Sequence, residues 1–385
     1  MGCGKCGSAI ADEFCRLNVR ARVERGIGIT AGVFAIDNDS SHLAGLRRVR
    51  PEHKILIGDQ GMGTDTSGET KGLPADIAGL SEKLLSAIES ATGFMETDAF
   101  LLLSSAAGGT GSGTMPVLTQ RLREWHPEKP AYNLIVLPFE DEEKTQGRTR
   151  HNTVTSLKSA YKVANAVFLF DNQRYVTKDY FVRDNLAKVN ASIVEPFYEM
   201  LCAGEEKIPG YIGSKTLDAG DIIQTLAGWT VIGQGKVRIP RFRLPFYNMT
   251  DFRDKLDEMQ KGIKALNGAI SELSLKCNPA DASRALFLLA APAAEMGLSM
   301  FTNIGSLVKD TAPGAIIRSG DYPRKRDSLS VTIILSELTR VDRLTDYFNR
   351  VAGGVALPVP PVAGPSTQPE SPKSDKQSNK PEDDI

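Results

Sequence analysis

The sequence lacks an excess of charge of either sign, and it lacks any long apolar run. Its 46 Lys and Arg residues nearly balance 47 Asp and Glu residues, so the formal net charge is −1. Such a chain has no overall attraction for nucleic acid or for an acidic membrane surface. Because no apolar stretch is as long as a bilayer span and no signal peptide opens the chain, we expect a cytoplasmic protein without direct membrane insertion.

Cysteine is also scarce, and the five that are present are scattered. An odd, scattered set argues against a disulfide framework and favours reduced thiols. Cys3 and Cys6 have the spacing of half a zinc site, but no second Cys-x-x-Cys or His pair completes four ligands. We therefore predict no metal site made of protein ligands and assign Cys3 and Cys6 to a glycine-rich loop.

The most informative segment that is present is a glycine-rich loop at residues 108–114. It follows a buried-strand pattern at residues 99–103 and precedes a helical pattern that runs from Met115 to Trp125. Glycine lets backbone N–H groups turn inward, and a helix N-terminus adds partial positive charge. A flexible linker is the alternative, but the apolar elements on both sides favour a phosphate-binding loop. Its residues are Gly108, Gly109, Thr110, Gly111, Ser112 and Gly113.

A second glycine loop, residues 2–7, opens the chain ahead of a first predicted helix. With Asp37 at the end of the next strand, it matches the G-x-G-x-x-G pattern of dinucleotide sites. The pattern requires a preceding strand, and we expect none because the chain begins there. Two glycine loops instead favour a nucleotide polyphosphate held from two sides. The Walker A sequence, which also binds triphosphates, is absent.

Four polar residues lie where they could complete such a site. Asn172 follows a predicted strand and Asn190 lies on a long helix, and each amide can pair with a purine edge. A helix cap or a solvated helix face is the plainer interpretation of either one alone. Asp218 and Asp221 lie three residues apart at a predicted helix start, where acids commonly cap the first turn. There they could also polarise a water for attack on a phosphate.

The order of predicted elements indicates an α/β protein with more than one domain. Strands and helices alternate up to residue 183, which predicts a parallel sheet, with a charged loop at residues 140–150. A long helix follows at 184–203, with Pro196 inside it. Residues 204–350 predict a smaller α/β or α+β domain. The Pro- and Ser-rich segment 351–385 predicts a disordered tail.

These motifs together resemble the tubulin/FtsZ superfamily of GTP-dependent filament proteins, over roughly residues 2–344. Residues 108–113 resemble its signature glycine loop, 4–10 its first nucleotide loop and 35–39 its second. Residues 170–172 and Asn190 are similar to its guanine contacts, and 217–223 to its synergy loop. Residues 56–58 and 320–324 are similar to the archaeal CetZ-like branch.

The resemblance implies a Rossmann-like GTPase domain, a central helix and a smaller C-terminal domain that assemble head to tail into protofilaments. It implies that GTP or GDP binds with Mg²⁺ and that Asp218 and Asp221 of the next subunit orient the attacking water. It also implies a role in cell shape or division, co-assembly with related filaments and an adaptor for the tail. Further nucleotide contacts implied by resemblance are Gly4, Lys5, Cys6, Gly7, Ser8, Asp39 and, for the ribose, Glu142.

Two alternatives remain open at this point. The glycine loop at residues 61–72 lacks the family's usual pattern, which favours a diverged regulator that caps or joins filaments without hydrolysing nucleotide. The opening loop with Asp37 would suit an NAD-dependent oxidoreductase.

Overall fold

The structure, a computed structural model, describes residues 1–57, 84, 86–88, 90, 97–145, 147–175, 182–239, 252–325 and 327–352. The glycine loop at 61–72 lies outside the described residues, as does the predicted tail from residue 353 onward.

Ten strands form a single mixed sheet in this part of the chain. They are β1 (Gly2–Cys3), β2 (Ala35–Asp37), β3 (Lys54–Leu56), β4 (Phe100–Ser105), β5 (Ala131–Leu137), β6 (Ala166–Asp171), β7 (Gly228–Arg238), β8 (Ala282–Ala291), β9 (Ile316–Pro323) and β10 (Ser328–Leu338). Their order is β3-β2-β1-β4-β5-β6-β7-β10-β8-β9. Strands β1 to β7 pair in parallel, whereas β10 runs antiparallel to β7 and β8. The predicted α/β class is confirmed.

Helices cover both faces of the sheet. They are α1 (Gly4–Arg25), α2 (Ser40–Gly45), α3 (Gly109–Trp125), α4 (Glu140–Thr145), α5 (Gly147–Val163), α6 (Val182–Glu205), α7 (Ala219–Thr225), α8 (Phe252–Ser271), α9 (Leu298–Thr311) and α10 (Asp342–Ala352). On one face α1 and α6 bury residues such as Ile10 and Phe197. On the other, α3, α5, α8, α9 and α10 bury residues such as Leu118 and Leu157.

Burial on both faces explains why the central strands are apolar without alternation. Every residue of β5 and β6 is buried, as parallel strands between two helix layers require. The helix that the sequence predicts at 184–203 is α6, which does contain Pro196. None of the helices among the described residues has both the length and the apolar character that crossing a membrane demands.

The expectation that no strand precedes the opening glycine loop is wrong. Gly2 and Cys3 themselves form β1, which pairs in parallel with β2 on one side and with β4 on the other. Two residues are too few to carry a periodic pattern, so only the neighbouring strands reveal that this segment is extended.

The expectation of a charged loop at residues 140–150 is also wrong, because this segment is helical. It contains α4, whose first turn is Glu140, Asp141, Glu142 and Glu143, and the start of α5. Acidic side chains in a first turn stabilise a helix through its dipole. Strand β7 and helices α2, α9 and α10 were not predicted from the sequence.

Candidate functional site

Most of the predicted site residues lie at one edge of the sheet. Strands β1, β2, β4, β5 and β6 run parallel, so their carboxyl ends share this edge. The strand order reverses between β1 and β4, and ligands of open α/β sheets bind at that point. The segments that leave this edge hold Gly4–Ser8 after β1, Asp39 after β2, 108–113 after β4, Glu142 after β5 and Asn172 after β6.

The two glycine loops touch each other through their backbones. Gly4 has a φ of +69°, and a Cβ placed on it would lie 2.9 Å from the backbone nitrogen of Gly111. A Cβ on Gly111 would lie 2.6 Å from the carbonyl oxygen of Cys3. No side chain fits between these turns. Cys3 and Gly108 are the N-cap residues of α1 and α3, and neither makes a side-chain cap hydrogen bond. The backbone N–H groups in the first turns of both helices can therefore bind an anion.

The hydroxyl groups of α3 are already engaged within the protein. Thr110 Oγ1 donates to Asn38 Oδ1 at 2.9 Å and so links α3 to the segment after β2. Ser112 Oγ donates to the carbonyl of Gly109 at 3.3 Å. Asn38 was not among the predicted site residues, although its place at the end of β2 was a signal that could have found it.

Asp39 is the N-cap of α2. Its carboxylate accepts from the backbone N–H groups of Ser41 and His42, at 2.8 and 3.4 Å, and these bonds hold its pKa below the usual range. Asp37, on which the dinucleotide alternative depends, is only 2% exposed, and its Oδ1 accepts from the N–H of Asn38. Its Oδ2 lies 3.5 Å from His42 Nδ1, and so deeply buried a carboxylate offers little surface to a ribose.

The first turn of α1 presents side chains of very different exposure. Lys5 is exposed, Cys6 is half-buried, and Ser8 is buried with its hydroxyl donating to the carbonyl of Gly2 at 3.4 Å. Burial raises the pKa of the Cys6 thiol to about 12, and the negative charge of Glu142 adds to this shift. The charge of Glu142 therefore acts at the start of α1. All five cysteines are free thiols in the structure.

The turn after β6 and helix α6 form the side of the edge away from the glycine loops. Asn172 begins a single 3-10 turn, Asn172–Tyr175, directly after β6. Asp171 Oδ1 accepts from the N–H of Gln173 at 3.0 Å, and Gln173 Oε1 accepts from the N–H of Glu140 at 3.3 Å. The turn after β6 is thus bonded to α4, which carries Glu142. Asn190 is half-buried on α6.

The structure does not bring Asp218 and Asp221 to this edge. Asp218 caps α7 by accepting from the N–H of Asp221 at 2.8 Å, and Asp221 lies 3.4 Å from Arg318 Nε. Helix α7 leads into β7, which is parallel to β6, so both acids lie at the amino edge of the sheet. A six-residue strand such as β6 is about 20 Å long. One chain therefore holds the glycine loops and the acids at opposite ends.

Comparison with known proteins matches the chain along most of its length. Residues 1–177 match the sequence model of the Tubulin/FtsZ family, GTPase domain, and residues 180–353 that of the Tubulin-like CetZ, C-terminal domain. Tubulin-like protein CetZ1 of Haloferax volcanii is 28% identical over 363 residues, which cover 90% of this chain and 89% of that protein.

Solved structures share the fold. The GDP-bound monomer of CetZ1 from Haloferax volcanii has a TM-score of 0.70 at 23% identity and covers 90% of this chain and 96% of its own. The GTPγS-bound protofilament of CetZ2 from the same organism has a TM-score of 0.75 at 22% identity, with 91% and 95% covered. With its GTPase domain followed by a CetZ C-terminal domain, this chain belongs to the tubulin/FtsZ family.

Proposed function

We propose that this protein binds and hydrolyses GTP and assembles head to tail into protofilaments, as a cytoplasmic filament with a role in cell shape or division. One observation carries the proposal: the glycine loops and the two carboxylates lie at opposite edges of one sheet. Stacking two copies head to tail brings the carboxylates of one over the glycine loops of the other. Such an interface does not close on itself and generates a filament.

In this proposal the phosphates of GTP bind to the backbone N–H groups at the starts of α1 and α3. The close approach of Gly4 and Gly111 supports this role, because it keeps side chains out of the cradle. Asn172 and Asn190 contact the guanine, Glu142 the ribose, and Lys5, Cys6, Ser8 and Asp39 lie around the nucleotide.

Mg²⁺ would accompany the nucleotide and offset the negative charge of its phosphates. Among the described residues, no group of three or more His, Cys, Asp or Glu side chains could hold a metal ion. We therefore propose that phosphate oxygens would hold the ion, while the Thr110 and Ser112 hydroxyls would contact the phosphates.

Hydrolysis in this proposal requires two subunits. Asp218 and Asp221 of one subunit orient a water molecule toward the terminal phosphate held by the other, and a carboxylate accepts its proton. Within the isolated chain these acids are partly exposed, and Asp221 is paired with Arg318. The acids remain available to a neighbouring copy, because the pair is at the surface.

The test is a double substitution, Asp218→Asn with Asp221→Asn. Asparagine also caps helices well, so α7 keeps its N-cap while the charges are removed. We expect phosphate release to fall by about a hundredfold or more while GTP affinity stays within about twofold. Asp310→Asn, an exposed acid on α9, is the control and should change neither. Loss of GTP binding in the double variant would contradict the two-subunit arrangement.

A mixing experiment tests the arrangement directly. The Asn172→Ala, Asn190→Ala variant keeps its acids but binds guanine poorly, whereas the double Asp variant keeps its nucleotide site. When the two variants are mixed, phosphate release should return. The acids of the Asn variant then meet the nucleotide site of the Asp variant at one interface. No regain would contradict catalysis across the interface. A wild-type protein that binds GTP and pellets with filaments but releases no phosphate would instead establish the regulator alternative.

A further inference from the structure

A single arginine from the C-terminal helix lies beside the nucleoside side of the proposed site. Arg343 is on α10, about 170 residues beyond the end of β6, and its side chain is 20% exposed. Helix α10 packs against α5. The guanidinium projects from there to the carboxyl ends of β5 and β6, between the segments that carry Glu142 and Asn172.

Toward β5 and α4, Arg343 makes three contacts. Its Nη2 lies 2.8 Å from Glu143 Oε1 and donates to the carbonyl of Pro138 at 3.2 Å, while its Nη1 lies 3.4 Å from Glu140 Oε1. The hydroxyl of Tyr347, one turn further along α10, also donates to Glu143. The carboxylate of Glu143 is 10% exposed, so its pairing with Arg343 is shielded from water.

Toward β6, Arg343 Nε lies 3.2 Å from Asp171 Oδ2. The other oxygen of this carboxylate accepts from the N–H of Gln173 and so fixes the turn that begins at Asn172. Burial raises the pKa of Asp171, and the charge of Arg343 counteracts that rise. Without the guanidinium, the buried carboxylate of Asp171 would face Glu143 and Glu140 with no cation between them.

We propose that Arg343 is a positioning residue for the nucleoside half of the site, because it bridges the segment that presents Glu142 to the segment that presents Asn172. The inference rests on the proposed function, since it assumes that these two residues contact guanosine. It adds that a residue of the C-terminal domain sets the affinity and selectivity for the base without touching the nucleotide.

The substitution that tests this is Arg343→Gln, read out with two probes, GTP and inorganic tripolyphosphate. Repulsion among the three carboxylates should move α4 away from the turn after β6, whereas the glycine loops should be unaffected. We expect GTP affinity to fall about tenfold to a hundredfold, and tripolyphosphate affinity to stay within about twofold. Arg343→Lys should recover only part of the loss, because an ammonium group cannot bridge three acceptors with fixed geometry.

The matched control is Arg340→Gln, which removes the same charge from an exposed residue paired with Asp342. It should leave both affinities unchanged. Tyr347→Phe removes only the hydroxyl on Glu143 and, should Arg343→Gln not fold, tests the same bridge with an expected loss of about two- to fivefold for GTP alone.

Equal loss of GTP and tripolyphosphate binding would overturn the proposal, because a general loosening of the protein would affect both. Unchanged GTP binding in Arg343→Gln would also overturn it. Failure of the proposed function itself is distinguishable, because then the wild-type protein would not bind GTP more tightly than tripolyphosphate.

Discussion

The two halves of the candidate site are built differently. The phosphate half consists of backbone: the first turns of α1 and α3 approach so closely that neither Gly4 nor Gly111 has room for a Cβ. The proposed nucleoside half consists of side chains on α4, α6 and the turn after β6, and ion pairs to Arg343 join α4 to the end of β6. The phosphate half depends on residues that directly follow their strands. The nucleoside half depends on Arg343, which lies about 200 positions beyond α4 in the sequence.

This difference determines how each half should fail. A backbone cradle has no adjustable part, so one added methyl group should destroy it. Side chains held by ion pairs can be weakened in steps, and each loss should cost only part of the binding energy.

The largest effect is expected from Gly111→Ala. Its Cβ would lie 2.6 Å from the Cys3 carbonyl, so the two turns must separate. We expect loss of at least a hundredfold in affinity for both GTP and tripolyphosphate, and a loss of about 1–3 kcal/mol in the free energy of unfolding. Calorimetric binding and urea unfolding measure the two quantities.

The control for this prediction is Gly45→Ala at the end of α2, where an added Cβ meets nothing within 4 Å. It should leave the affinity for either ligand unchanged. Normal tripolyphosphate binding by Gly111→Ala would contradict a backbone cradle at this position.

A smaller and more selective effect is expected from Asn172→Ala. Removing the amide should weaken GTP about tenfold and reduce its preference over ATP, because one hydrogen bond to the base is lost. Competition between GTP, ATP and tripolyphosphate measures this, and only GTP binding should change. Asn278→Ala, which removes the exposed side-chain cap of a 3-10 turn outside the predicted site, is the control. A parallel loss of ATP binding would mean that Asn172 does not read the base.

The connection between the two halves gives a prediction that depends on pH. Arg20 on α1 pairs with Glu195 on α6, with nitrogen–oxygen distances of 3.1–3.2 Å, and α6 also carries Asn190. Burial raises the pKa of Glu195, but hydrogen bonds and charge from Arg20, with Lys236 and Arg16, outweigh it and leave the pKa below the usual value. The pair therefore stabilises the fold above the unfolded-state pKa, and this contribution is lost as the pH falls through the lowered value.

Glu195→Gln should accordingly lower the free energy of unfolding by about 1–2 kcal/mol near pH 7. Near pH 3 the variant and the wild-type protein should differ less, because the unfolded chain then binds a proton at Glu195 and the contribution of the charged pair declines. Urea unfolding at both pH values measures this. A difference that does not change with pH would assign the effect to the side chain's shape rather than its charge.

The smallest effect is expected at the thiols of the phosphate half. Burial raises the pKa of both Cys3 and Cys6 to about 12, and the thiolate is the reactive form. At neutral pH, iodoacetamide should modify the folded protein slowly and change GTP affinity less than about twofold, whereas all five cysteines should react in urea. Rapid labelling of Cys6 in the folded protein would contradict this account.

Local patterns in the sequence were enough to predict the α/β class, the central helix and the position of both glycine loops. These features depend on alternating apolar runs and on glycine after a strand, which nearby residues specify. The strand β1 was missed because two residues show no pattern, and α4 was taken for a loop because its run of acids has no apolar face.

The sequence by itself determined the positions of the two glycine-rich loops, because glycine permits backbone conformations that are closed to other residues. Only the tertiary structure decided that Asp218 and Asp221 lie at the opposite edge from those loops, and that Arg343 reaches α4 and the turn after β6. Strand direction and long-range ion pairs arise when distant segments pack together, so no local pattern specifies them.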